Sequence, residues 1–170
     1  MECGAEYYVK AEKEEYNTIE KQIEIPDFSG KTDLSIELEK ALQKITVGDD
    51  LAKIFKIKTI YFDLDKWDIR QDAANDLAKI LEIMQEYPTM KVDVRSHTDS
   101  RQSHEYNDKL SGQRVKSTIA WLIKNGIAKD RLLGKGYGET QLLNNCADGI
   151  DCTEDEHQQN RRSEFIIIDM

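Results

Sequence analysis

From residue 57 onward the apolar residues switch repeatedly between two periods, and this alternation constrains the fold more than any other feature. "IKTIYF", "KVDVRS", "RLLGKGYG" and "SEFIIID" are short apolar or alternating runs of the kind that form strands. Between the first two, Leu77, Ile80, Leu81 and Met84 recur at three and four residues. That spacing predicts a helix from Gln71 to Tyr87, stopped by Pro88, with Asp68 as a candidate N-cap. Between the second and third, Leu110, Val115, Ile119, Leu122 and Ile123 line one face of a helix predicted from Asp108 to Asn125. Gly126 then stands where a left-handed C-terminal cap belongs. Strands alternating with helices of this length form crossover units. The expected class is therefore α+β with α/β-type crossovers, a βαβαβ-β order and a mixed sheet.

Ahead of this region, residues 6–40 hold three alternating runs, "EYYVKAE", "EKQIEIPDF" and "TDLSIELEK", separated by polar turns. Period two with turn punctuation predicts antiparallel strands, and three strands are a thin basis for an independent core. The expected organisation is a β-rich segment over 1–44, a linker over 45–56 with a turn at Gly48-Asp49-Asp50, and a main domain over 57–170. The β-rich segment is expected to be the end of a β-sandwich, packed on the main domain or, as a homodimer contact, on a second copy. The chain opens almost inside a strand pattern, so its start is expected to be a cut within a longer protein. The lack of an export signal in "MECGAEYY" then says nothing about where the parent resides.

Charge narrows the partners. The net charge is −9, and residues 1–50 hold 13 acidic against 6 basic residues. With no basic stripe to neutralise phosphates, nucleic acid is a poor partner and an anionic membrane surface is repelled. No apolar run approaches the roughly 20 residues that cross a bilayer as a helix.

The chemistry concentrates in "RSHTDSRQSHEYNDKLSGQR", residues 95–114. Asp99 lies just past the carboxyl end of the "KVDVRS" strand, and Arg114 lies on the following helix. A loop and two helical turns bring both side chains over one strand end, where α/β sheets bind ligands. Two readings are open: a salt bridge tying loop to helix, or a site for a zwitterion. In the second, Asp99 faces the ammonium of an amino-acid centre and the planar fork of Arg114 faces its carboxylate. Thr98 and Asn107 supply neutral contacts. Asp65 reaches the same edge if its strand is a parallel neighbour. Of Arg161 and Arg162, one is expected to counter the buried carboxylates and the other to face the ligand.

A zinc site would draw on His97, His104 and His157 with Cys146, but neither an HExxH nor a paired CxxC pattern is present. "DGIDCTEDE" lacks the spacing and glycine of a calcium loop. Ser96, Ser100 and Ser103 flank histidines without a G-x-S-x-G elbow. Neither metal nor cofactor is expected. Cys146 and Cys152 in "CADGIDC" are compatible with a disulfide, half a metal site or unpaired thiols.

Four stretches together, "IYFDLDKWDIR", "VRSHTDSRQSHEYNDKLSGQRVKSTIAWLIKNGI", "RLLGKGYGET" and "NRRSEF", resemble the OmpA-like peptidoglycan-associating domain over residues 57–168. The resemblance implies a mixed sheet with helices on one face. It also implies non-catalytic binding of peptidoglycan through meso-diaminopimelate in the stem peptide, tethering the outer membrane or an envelope complex to the cell wall. The family's key aspartate falls on Asp99 and its key arginine on Arg114. Leu64, Asp65, Leu110 and Arg161 or Arg162 join the implied ligand contacts. Periplasmic, outer-membrane-associated localisation follows, and an oxidising compartment makes a Cys146–Cys152 disulfide the expected pairing. The alternatives are a zinc-dependent cell-wall hydrolase and a pure protein-interaction module. Gln102, Val115 and Leu64 depart from common glycine, alanine and phenylalanine, and none removes a charge from the site. Residues 6–40 also resemble the last strands of a carboxypeptidase regulatory-like β-sandwich through "AEKEEYNTIEKQIEI".

Overall fold

A computed structural model describes residues 6–24, 33–39, 41 and 44–170. The chain divides into two compact units, Met1–Lys44 and Ile45–Met170. In the first, β1 (Glu6–Ala11) and β2 (Ile19–Glu24) form an antiparallel hairpin in the register Glu6↔Glu24 to Ala11↔Ile19. Period two puts Tyr7, Val9 and Ala11 on its half-buried face, with Ile19 and Ile23 opposite. The third expected strand is not one: residues 33–39 have no ladder, and touch the hairpin's loop through Asn17 N–H to Glu39 O and Ala41 N–H to Glu15 O. The end of "EKQIEIPDF" lies outside the described residues.

The second unit begins earlier than expected. Residues 45–56 are not a linker, because Gly48 N–H and Asp49 O bond Ile167 across an extension of the sheet. Asp50 then caps the short helix α1 (Leu51–Ile54), whose Leu51 is fully buried. The sheet follows with β3 (Ile60–Tyr61), β4 (Lys91–Ser96), β5 (Leu132–Gly136) and β6 (Arg162–Asp169), in the order β3-β6-β4-β5. β4 and β5 are parallel, and β6 runs antiparallel to both β4 and β3. β3 and β4 therefore run the same way without being neighbours, which corrects the premise for Asp65.

The crossovers are α2 (Gln71–Glu86) and α3 (His104–Lys124). α2 starts at Gln71 as expected, but its N-cap position is Arg70 and not Asp68. α3 starts at His104, four residues before the expected Asp108, because Ser103 caps a polar first turn by accepting Tyr106 N–H. Its far end is as expected, with Gly126 at φ 108°. The paired residues Val92↔Ile167 and Val94↔Phe165 share one core with Leu77, Ile80 and Met84 of α2 and Leu122 of α3. Both long helices thus cover one face of the sheet. α4 (Glu154–Asn160), entirely polar and unforeseen in the sequence, is set by a capping box between Thr153 and Glu156.

Two glycines bring α3 onto β5. A Cβ on Gly134 would collide with Val115 and Ile119, and one on Gly136 with Ser111 and Gly112. This close approach sets Arg114, less than one turn beyond Ser111, over the carboxyl end of β4.

Candidate ligand-binding site

The chain leaving β4 is pinned from both sides. Ser96 and Ser163 share a hydroxyl hydrogen bond of 2.5 Å, His97 N–H donates to Arg162 O, and Thr98 N–H donates to Gly138 O. Asp99 is thereby delivered into the interior, 3% exposed. Its Oδ2 accepts from Arg161 Nη1 and from Arg101 Nη2, each at 2.8 Å. Burial pushes the Asp99 carboxyl up, but these two guanidiniums prevail and hold it below its ordinary value.

Arg161 stands at the C-terminal end of α4 and is 2% exposed. Besides Asp99 it donates to Phe62 O, Gln158 and Glu154, the last through Nη2 at 2.5 Å. Glu154 also binds Arg101 Nη1 at 2.8 Å. Asp99, Arg101, Glu154 and Arg161 therefore form a ring of alternating charge. Arg162 turns away and pairs with Glu164 on β6. Of the two arginines, Arg161 is the one that joins Asp99.

Arg114 does not pair with Asp99, and among the described residues no carboxylate lies within ion-pair distance of it. It is fully buried. Its Nε donates to Lys66 O at 2.9 Å, Nη1 to His97 O at 2.8 Å and Nη2 to Asp63 O at 3.1 Å, while its guanidinium lies 4.9 Å from the Phe62 ring centre. Burial and then the nearby Arg161 charge lower its pKa to about 10. This is a buried cation held only by neutral acceptors, an arrangement that favours an incoming anion.

The remaining expected contacts divide. Thr98 is 2% exposed and its hydroxyl has no hydrogen-bond partner. Asp65, at φ 54° in the loop after β3, has a buried Oδ1 that likewise lacks one. Leu64 is 46% exposed at the rim of that loop. Asn107 is buried and already engaged with Gln102 O and Glu139, and Leu110 packs inside at 4% exposure. Neither of these two faces open space. A cleft of about 520 Å³ between residues 100–102 and 147–152 adjoins Asp99 without including it.

Cys146 and Cys152 are joined, with Cα atoms 5.9 Å apart, and Ser100 Oγ donates to Cys146 O at 2.5 Å. The zinc reading finds no geometry. His97 is buried and faces Glu164 at 3.7 Å, His104 is exposed at the start of α3, and His157 is buried in α4. The one group of three metal-type donors brought together among the described residues is Cys146, Cys152 and Glu156, where the sulfurs are consumed by the disulfide. Sequence reasoning missed Arg101 and Glu154. The T-x-x-E signature at Thr153–Glu156 was the available signal: it marks a helix on which Glu154 and Arg161, seven residues apart, share a face.

A four-stranded mixed sheet with both long helices on one face, and buried charges gathered at the end of β4, defines a small α+β domain. Residues 61–156 match the OmpA family, and the chain belongs to that family. It is 40% identical over 112 residues to the photosystem I P700 chlorophyll a apoprotein A2 of Gloeobacter violaceus, covering 65% of this chain and 13% of that protein. It is 32% identical over 108 residues to the peptidoglycan-associated lipoprotein of Brucella melitensis, covering 64% of this chain and 61% of that protein. The crystal structure of the peptidoglycan-associated lipoprotein from Burkholderia pseudomallei has the same fold, with a TM-score of 0.57 at 20% identity over 64% of this chain and 88% of that one. The chain thus spans less than two thirds of the length of either curated relative. No helix among the described residues is long and apolar enough to cross a membrane.

Proposed function

We propose that the second unit binds peptidoglycan non-covalently through the zwitterionic D-centre of meso-diaminopimelate, without catalysis, and tethers its parent protein to the cell wall from the periplasmic side of the outer membrane. The observation that carries this reading is Arg114, a fully buried guanidinium with three main-chain carbonyls and no carboxylate partner among the described residues. A ligand carboxylate supplies the missing anion, and the Arg fork suits it. The ligand ammonium goes to Asp99, whose charge is kept by its low pKa. The unpartnered Thr98 hydroxyl and Asp65 Oδ1 provide further acceptors at the same edge. Access to Arg114 requires the 63–66 segment to yield, since the Asp63 and Lys66 carbonyls cover two of its donors. Membership of the OmpA family and likeness to a peptidoglycan-associated lipoprotein support the cell wall as the target.

Co-sedimentation with purified sacculi tests the reading. Wild type pellets with diaminopimelate-type sacculi and far less with lysine-type sacculi, which lack the second carboxylate. Asp99→Asn removes the ammonium's partner and lowers affinity by a factor of about 30 or more. Equal pelleting with both sacculi, or normal pelleting of folded Asp99→Asn, overturns it.

A further inference from the structure

The charge ring around Asp99 contains one well-exposed member. Asp99 and Arg161 are buried, with side chains 4% and 2% exposed, whereas the Glu154 side chain is 60% exposed and spends both oxygens on Arg101 and Arg161. Those are the same two guanidiniums that neutralise Asp99. Two carboxylates and two guanidiniums sum to zero, so Asp99 sits in a balanced field. Without Glu154 the single Asp99 charge would face two guanidiniums, with a third cation, Arg114, close by. Such a site attracts anions and repels an ammonium.

We propose that Glu154 is a specificity-determining residue that makes this site select a zwitterion over a simple carboxylate. It shares Arg101 and Arg161 with Asp99 through their other nitrogens, and its charge leaves that carboxylate able to accept an ammonium. Arg101, 31% exposed on its side chain, is the mobile member: when the ligand's ammonium takes its place on Asp99 Oδ2, it retains Glu154 as its counter-ion. Arg161 stays fixed by Phe62 O and Gln158. The disulfide and the Thr153 cap hold the stretch that leads into α4, so the counter-ion is presented by the first residue of a capped helix. The proposal rests on the peptidoglycan reading above, because it assumes an ammonium at Asp99.

The test is calorimetric titration of the full chain with meso-diaminopimelate and with pimelate, the same seven-carbon diacid without amino groups. Wild type prefers meso-diaminopimelate. Glu154→Gln, assayed well below its melting temperature, shrinks this preference by about tenfold, with pimelate binding unchanged or tighter. Glu154→Asp keeps the charge and most of the preference. An undiminished preference in Glu154→Gln, or an equal loss in Glu154→Asp, overturns the inference. Failure of wild type to bind meso-diaminopimelate at all instead overturns the reading beneath it.

Discussion

Replacing Arg114 with lysine separates the charge of this residue from its geometry. The guanidinium donates to three carbonyls, of Asp63, Lys66 and His97, from three different nitrogens. A lysine ammonium is a single point at the end of its stem and keeps one of these acceptors. Two buried main-chain carbonyls lose a charged donor, each at a cost of about 1–3 kcal/mol. The stacking of the cation on Phe62 is lost as well. The sum is about 3–4 kcal/mol, and for a domain of this size that lowers the melting temperature by about 10 °C. Circular dichroism melts under non-reducing conditions measure it. Sacculus binding, assayed well below the mutant's melting temperature, falls too, because the planar fork is gone. A melting temperature within about 2 °C of wild type would refute the structural half of the argument. Arg114 thus differs from a salt bridge to Asp99: its bonds go to three main-chain carbonyls, so its replacement is expected to cost the fold.

Two further outcomes follow from the same neighbourhood. The His97 imidazole, aided by Arg162 and opposed by burial, depresses the Glu164 pKa from 4.5 to about 2. A depressed folded-state value stabilises above the unfolded value and is lost as pH falls through the folded one. Stability therefore declines as pH falls from roughly 4.5 to 2. Urea midpoints across that range should fall in wild type and fall less in Glu164→Gln; parallel curves would count against the assignment. Unreduced protein should be lighter than the reduced form by two hydrogens and resist alkylation at Cys146 and Cys152. Opening this loop by Cys146→Ser with Cys152→Ser should cost about 2 kcal/mol, seen as a lower denaturant midpoint, and two freely alkylated thiols in native protein would end the claim.

Periodicity carried the sequence reading where side chains face a core. Leu77, Ile80 and Met84 declared α2, and Leu110 to Leu122 declared α3, because helices that cover a sheet must repeat apolar residues at 3.6. Elements that bury little were invisible to it. α4 contains only "EDEHQQN", and its existence depends on a cap and on what Asn160 and Arg161 reach. The linker expected over 45–56 failed for a related reason: Asp50 finds its partners on β6, more than a hundred residues away, and Leu51 joins the common core.

For the site, the sequence by itself brought Asp99 and Arg114 to one end of the sheet but not the Arg101 and Glu154 that complete the charge cluster. Asp99 follows a strand by three residues and Arg114 follows by fifteen more, and a short loop and a helix allow few other arrangements. It did not determine who pairs with whom. Asp99 went to Arg161, 62 positions on, and Arg114 to the carbonyls of Asp63 and Lys66, 51 and 48 positions back. Main-chain carbonyls carry no signature in the residue alphabet, and a buried charge takes whichever acceptors the packed backbone aims at it. Only the tertiary structure, by running β6 between β3 and β4, decided that those acceptors would converge at one end of the sheet.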